Sequence, residues 1–492
     1  MPGAHPDNRS SSLDRKAPVT SNPLAPDWLA VPADANGLDP AIWARSVSRG
    51  AEGVIEIDGV PATQLAAEYG TPLYVMDESD VRHRAREART SFDREFAAVG
   101  SSAKVYYAGK AFLSAEVARW VTEEGLYIDV ASEGELAVAL AAGVDPARLG
   151  HHGNNKSLRE IDRSVASGVG VIVIDSAEEV ERVAEAAARH TVRQRVRLRV
   201  NSGVHASTHE YLATAREDQK FGIALADAAS LVARIRSHDS LEFTGLHAHI
   251  GSQIFEAVGF GESARRLMTL QAELLNDGPV PELNLGGGFG IAYTSVDEAI
   301  SLPEIARSLA QIVAAESSRL GIPVPIVAVE PGRAIVGPST FTLYEVGTVK
   351  DVLVAMGGTT DAESAVRKYV SVDGGMGDNI RPALYEADYT VRIASRASDA
   401  EPALVRVAGK HCESGDVVVR SDYLPSDVRA GDLVAVPATG AYCWSLSSNY
   451  NYLARPAVVA VRDGQARVIV RGETEEDLLS RDAGIVPARR NG

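Results

Sequence analysis

From Pro72 onward the hydrophobic pattern keeps switching between two periods. Short apolar, β-branched runs at residues 105–108, 126–130, 148–152, 169–175, 196–200, 243–249, 282–285 and 326–329 each end in a turn or cap signal, as buried strands do. Between them, residues 113–124, 133–142, 178–189, 225–236, 264–276 and 303–320 repeat apolar positions every three or four residues, the spacing of a helix with one buried face. Three helix starts carry a capping-box pattern: Ser132 with Glu135, Ser157 with Glu160, and Ser176 with Glu179. Eight buried strands, each followed by a helix over about 250 residues, predict a (β/α)8 barrel of the TIM type, with a doubly wound open sheet as the competing arrangement.

After Val336 the texture changes. Strand-like pieces at 368–372, 389–393, 404–407, 417–419, 432–437, 457–462 and 465–470, separated by Gly and Pro turns, predict an all-β domain. Earlier pieces such as 53–57 alternate well enough for strands but are too few for a unit of their own. The resulting division is a disordered extension at 1–26, strands at 27–71 that join the β domain, a barrel at 72–338, and the β domain at 339–492.

Composition narrows the function classes. The chain has 492 residues, 45% hydrophobic and 23% charged, as in a globular protein. No apolar run approaches the ~20 residues that span a bilayer. The net charge of −17, with no basic cluster, argues against nucleic acid as a partner. Two cysteines, Cys412 and Cys443, in a chain this long point to a reducing cytoplasm, and their spacing does not decide whether they pair. No metal-ligand set stands out.

A barrel gathers chemistry at the C-terminal ends of its strands. Those ends carry Lys110, Asp129, His151 to Asn155, Arg199 and Asn201, His249 to Gln253, Gly286 to Gly290, and Glu330 to Arg333. Lys110, between Gly109 and Ala111, has room beside it for a flat ring, and a partly desolvated lysine is a nucleophile toward an aldehyde. By itself a lysine snorkelling from a strand end is the plainer reading. The glycines Gly286, Gly287 and Gly288 let backbone N–H groups approach an oxyanion, and Arg333 adds a fork for a phosphate or carboxylate. Glu330 closes an apolar run and needs a cation, which a protonated pyridine nitrogen or a neighbouring arginine would supply. His249 suits stacking on such a ring, or an ordinary buried hydrogen bond. A lysine, a phosphate nest and an acid for a pyridine together specify pyridoxal 5′-phosphate.

The motifs from Tyr107 to Phe112, His249 to Gln253, Gly286 to Gly290 and Glu330 to Arg333 resemble the fold-type III pyridoxal-phosphate decarboxylases, the group of diaminopimelate, ornithine and biosynthetic arginine decarboxylases. The stretches from Asp373 to Tyr385 and from Cys412 to Asp416 look like the diaminopimelate type. The resemblance implies loss of CO2 from meso-2,6-diaminopimelate to give L-lysine. An ornithine or arginine decarboxylase and a non-catalytic homologue are the alternatives. It implies that Lys110 condenses with the cofactor, that Asp129, His249, Ser252, Gly286, Gly287, Gly288, Glu330, Pro331, Gly332, Arg333 and Tyr442 surround it, and that Arg333, Arg381, Tyr385, Glu413 and Tyr442 hold substrate. It further implies that Cys412 is the proton donor, reaching the site from the partner subunit of a homodimer. An arginine for a distal carboxylate with Glu413 for a distal ammonium matches a substrate ending in a whole amino-acid group. Gly109 stands where alanine is expected in many members, a change that should only loosen the strand end. The 204–219 loop, with His205, His209 and Tyr211, is long for such a barrel, and its sequence leaves open whether it is a lid.

Overall fold

The computed structural model describes residues 22–204, 220–356 and 364–485. Most of the 1–26 extension and nearly all of the 204–219 loop lie outside the described residues. Eight parallel strands (Ala103–Ala108, Tyr127–Val130, Leu149–His151, Val171–Ile174, Gln194–Asn201, Leu241–His247, Glu282–Asn284 and Ile326–Val329) pair in that order. The last also pairs with the first, so the sheet is a closed barrel. Each predicted apolar run overlaps one of them. The helix Glu78–Ala98, which precedes the first barrel strand, packs against that strand and against Leu302–Leu320, filling the helical ring where the short Arg333–Val336 follows the eighth strand.

Of the three predicted capping boxes, only Ser157 and Glu160 close reciprocally. Ser132 and Ser176 do accept the expected N–H. Their acid partners turn elsewhere: Glu135 accepts from Ala131 N–H, and Glu179 from Asp175 N–H while pairing with the buried Lys156 at 3.0 Å. A carboxylate at the third helical position goes to the strongest donor within reach, and here tertiary donors win.

The β domain forms as predicted, with one correction in its membership. The strands before Gly70 (Val47–Arg49, Ile55–Ile57 and Val60–Pro61) do not join its sheet; they make a three-stranded sheet of their own, tied to the domain by contacts such as Ile55 N–H to the Ala394 carbonyl at 2.8 Å. The early strand that does join is Leu73–Asp77, inside the stretch read as barrel. It lies between Thr340–Ala355, antiparallel, and Ala457–Arg462, parallel. All five of its residues are buried, so it lacks the alternation that marks a half-exposed strand. Thr340–Ala355 was itself absent from the predicted strands. Its first part is buried on both faces, and its register shifts between Val346 and Val349, around Gly347, where it passes from one set of partners to the next.

At the bottom of the barrel the charges are paired. Arg197, fully buried, directs Nε and Nη2 at Glu282 Oε2, at 3.0 and 2.7 Å, and Nη2 also donates to the Tyr106 hydroxyl at 3.0 Å. Lys104 pairs with the other Glu282 oxygen.

Candidate active site

The first barrel strand ends in a single tight turn, Gly109–Ala111, that leaves the Lys110 side chain projecting above the barrel mouth. A Cβ at Gly109 would sit 2.8 Å from the Asp129 carbonyl oxygen, so glycine is what allows the first and second strand ends to approach. The expected loosening is therefore corrected: Gly109 tightens the junction. The β domain is fastened to the same turn. Tyr442 N–H donates to the Ala111 carbonyl at 2.8 Å, Ser445 Oγ to the same oxygen at 2.9 Å, and Trp444 meets Phe112 edge to face.

Lys110 lines three adjoining cavities. The smallest, about 40 Å³, is walled by Ser252, Gly288, Gly332, Arg333 and Tyr442. The second, about 460 Å³, descends into the barrel between Asp129, His152, Arg199, His247, His249 and Glu330. The third, about 730 Å³, opens toward the β domain among Tyr293, Arg333, Arg381, Tyr385 and Tyr442.

The smallest cavity, which Glu330 also borders, brings a guanidinium, a hydroxyl and a glycine turn together. Arg333 donates to Ser252 Oγ at 2.9 Å and to the Tyr293 hydroxyl, and its guanidinium lies 4.7 Å from the centre of the Tyr442 ring. Of the three glycines, Gly288 alone reaches this cavity. Its φ is 108°, and a Cβ there would overlap the Gly251 carbonyl. Gly286 and Gly287 already donate their N–H groups inside the protein, to Asn284 Oδ1 at 2.8 Å and His249 Nδ1 at 3.2 Å. Their part is corrected from binding an anion to orienting those two side chains. Pro331 likewise stays in the frame, its carbonyl accepting from Ala108 N–H at 3.2 Å.

In the barrel chamber Glu330 Oε1 accepts from His247 Nε2 at 2.9 Å and from Asn284 Nδ2 at 2.8 Å. Burial alone would raise the Glu330 pKa, but His247 and His152 opposite it hold the carboxyl well below its usual range. Asp129 goes the other way, held well above by burial and by the charge on Glu330. Its Oδ1 lies 3.0 Å from His152 Nε2, but neither Asp129 oxygen has an aligned hydrogen-bond donor among the described residues. Burial keeps the histidines neutral: His152 and His247 fall to about 4 and His249 to about 3. His152, His247 and Glu330 bring three ligand-type atoms within 4.8 Å of one another, a trio absent from the sequence reading.

The large cavity holds two buried guanidinium groups. Arg333 and Arg381 lie 5.8 and 4.5 Å from the centre of the Tyr293 ring, and Arg381 donates to the Tyr389 hydroxyl. Among the described residues neither arginine forms an ion pair. Tyr385 is exposed and lines this cavity, beside Trp28 from the N-terminal segment.

Cys412 and Glu413 line none of the three cavities. They sit exposed on a loop of the β domain whose base is held by Asp416, which accepts from His411 N–H at 2.7 Å and Met376 N–H at 2.6 Å. Cys443 is buried near Arg381, its thiol 3.4 Å from Asn379 Oδ1 and pushed up to about 11 by burial. Both cysteines are free. Sequence reasoning assigned no role to Tyr293, His247, Asn284 or Tyr389. The alternation of a strand puts His247 on the same face as His249, so that one was within reach.

Residues 78–337 match the model of the pyridoxal-dependent decarboxylase, pyridoxal binding domain, just over half of the chain. Diaminopimelate decarboxylase of Mycobacterium tuberculosis is 52% identical over 451 residues, covering 90% of this chain and 98% of that protein. The chain belongs to the diaminopimelate decarboxylase family of pyridoxal-dependent decarboxylases. Another family member, that of Bacillus subtilis, is 42% identical over 87% of this chain and 95% of its own length. Among solved structures, diaminopimelate decarboxylase from M. jannaschii in complex with L-lysine superposes with a TM-score of 0.82 at 30% identity, covering 90% of this chain and 98% of that one. The family's cofactor is pyridoxal 5′-phosphate, and the cavities fit it: an anion pocket beside Arg333, a chamber for a flat ring ending at a carboxylate, and a lysine between them. No described helix is long and apolar enough to cross a membrane.

Proposed function

We propose that this protein removes CO2 from meso-2,6-diaminopimelate to give L-lysine, using pyridoxal 5′-phosphate held at Lys110. The observation that carries the substrate reading is Arg381, a buried guanidinium packed on Tyr293 that forms no ion pair among the described residues and is left over once Arg333 is given to the phosphate. A buried charge without a partner is costly, and a substrate with a second carboxylate, distal to the reacting centre, relieves that cost. When bound, the cofactor supplies an aldehyde for the substrate amine and a ring that takes up the electron pair left by CO2.

The chain's own residues do the rest. Ser252 Oγ, the Gly288 N–H and the Arg333 fork hold the phosphate, and Glu330 Oε2 holds a proton at the ring nitrogen. His249, kept in place by Gly287 N–H, covers one ring face and excludes water. Lys110 stands where all three cavities meet, so its amine reaches both the cofactor aldehyde and the substrate. Arg381 orients the distal carboxylate, with Tyr385 and Tyr442 closing the outer wall.

We assign protonation of the product carbon to the Cys412 thiol, which lines none of the three cavities of its own chain. Cys412 and Glu413, exposed on a well-braced loop, fill that part from a second copy, which makes the working unit a homodimer with shared sites. Incubation with the substrate and pyridoxal 5′-phosphate should release equal amounts of CO2 and lysine. Faster turnover of ornithine or arginine would reverse the substrate assignment. Mixing inactive Lys110→Ala and Cys412→Ala proteins should restore up to about a quarter of wild-type activity, since half the dimers are hybrids with one intact site. No restoration after verified subunit exchange would place the proton donor within one chain.

A further inference from the structure

We infer that Asn284 is a positioning residue that selects which oxygen of Glu330 faces the cofactor ring; the inference rests on the reading of Glu330 as the partner of the ring nitrogen. Asn284, Gly286 and Glu330 close a circuit of three hydrogen bonds. Glu330 N–H donates to the Gly286 carbonyl at 2.9 Å, Gly286 N–H to Asn284 Oδ1 at 2.8 Å, and Asn284 Nδ2 to Glu330 Oε1 at 2.8 Å. Because Gly286 N–H can only donate, it fixes the amide with its oxygen toward the glycine turn and its nitrogen toward the acid. Asn284 is fully buried, so water does not compete for either bond.

His247 Nε2 donates to the same oxygen, at 2.9 Å, and His152 also lies nearer Oε1 than Oε2, at 3.7 Å. Among the described residues the hydrogen-bond and ion-pair contacts of the Glu330 carboxylate thus fall on Oε1. Among the described residues Oε2 has no donor, and Glu330 forms the end wall of the barrel chamber. The carboxylate is held by one oxygen and offers the other. The same asparagine ties this acid to the turn that leads into Gly288, so the two ends of the cofactor site are set by one side chain.

The test separates the ring-nitrogen contact from everything else the site does. Dissociation constants of the full-length protein are measured for pyridoxal 5′-phosphate and for its analogue with C–H in place of the ring nitrogen. Wild type should prefer the natural cofactor by about tenfold or more, the worth of one hydrogen bond to a charged group. Asn284→Leu should reduce that ratio by about tenfold, toward one. Asn284→Ala, which only removes atoms, should do the same and answers the question if the leucine variant does not fold. A structural role alone would weaken both ligands by the same factor. A wild-type preference that both variants retain overturns the role of Asn284 while leaving Glu330 in place. A wild-type ratio near one overturns the reading of Glu330 and this inference with it.

Discussion

The two ends of the barrel treat charge in opposite ways. At the bottom, Glu282 answers three cations, Arg197 on one carboxylate oxygen and Lys104 and Arg195 on the other. At the mouth, Arg333 and Arg381 have hydroxyls and rings around them and, among the described residues, no ion pair, while Asp129 Oδ1 faces His152 Nε2 at 3.0 Å without an aligned hydrogen bond. Both ends are buried, so the difference is not one of solvent. It is one of completeness: the cations of the floor have a carboxylate within the fold, whereas Arg333 and Arg381 at the mouth are left to be paired by what binds there. Unpaired buried charge marks a site more sharply than cavity size does.

The comparison can be broken in four places. Lys110→Ala should erase the absorbance band of the bound cofactor and lower turnover by about 10⁴-fold or more, because among the described residues no second lysine lines the three cavities. A normal band in that variant would remove the lysine from its place. Glu282→Gln should cost about 3–5 kcal/mol of stability in a denaturant titration, since it leaves the buried Arg197, with Lys104 and Arg195 beside it, without that carboxylate. Its cofactor band should stay as in wild type, and a change in that band would mean that floor and mouth are not independent.

Arg381→Ala should instead raise the KM for diaminopimelate by about 100-fold while leaving folding stability equal or higher, because the charge it removes has no partner. A loss of stability like that of Glu282→Gln would show that the mouth is as complete as the floor. The smallest effect is a slope. Burial holds the His152 pKa at about 4 in the folded chain against an ordinary value of 6.5. A depressed histidine contributes stability that is present above pH 6.5 and is lost as pH falls toward 4. The stability advantage of wild type over His152→Gln should therefore shrink by roughly 2 kcal/mol between pH 7 and pH 5. A constant difference across that range would mean that His152 is not buried in the neutral state.

Strands with a local signature were legible. The eight barrel runs combine β-branched residues with a turn at each end, and all eight fall where the pattern puts them. Leu73–Asp77 and the first half of Thr340–Ala355 are buried on both faces, and a continuous apolar run does not say which sheet will receive it. Site residues divide the same way. Lys110, Glu330 and Arg333 stand at strand ends, where a barrel announces its chemistry. Tyr293 lies in an irregular loop past the glycines, and its tie to two arginines is visible only once the β domain is in place.

The sequence by itself determined the barrel, the β domain after it and the family, because these follow from period, turn chemistry and motifs a few residues long. Only the tertiary structure decided that Glu330 shows one oxygen and hides the other, that two glycines of the run serve side chains and not an anion, and that Cys412 stands apart from the lysine. Each of those outcomes depends on donors and acceptors brought together from distant parts of the chain. A hydrogen bond is settled by distance and direction in space, and local pattern carries neither.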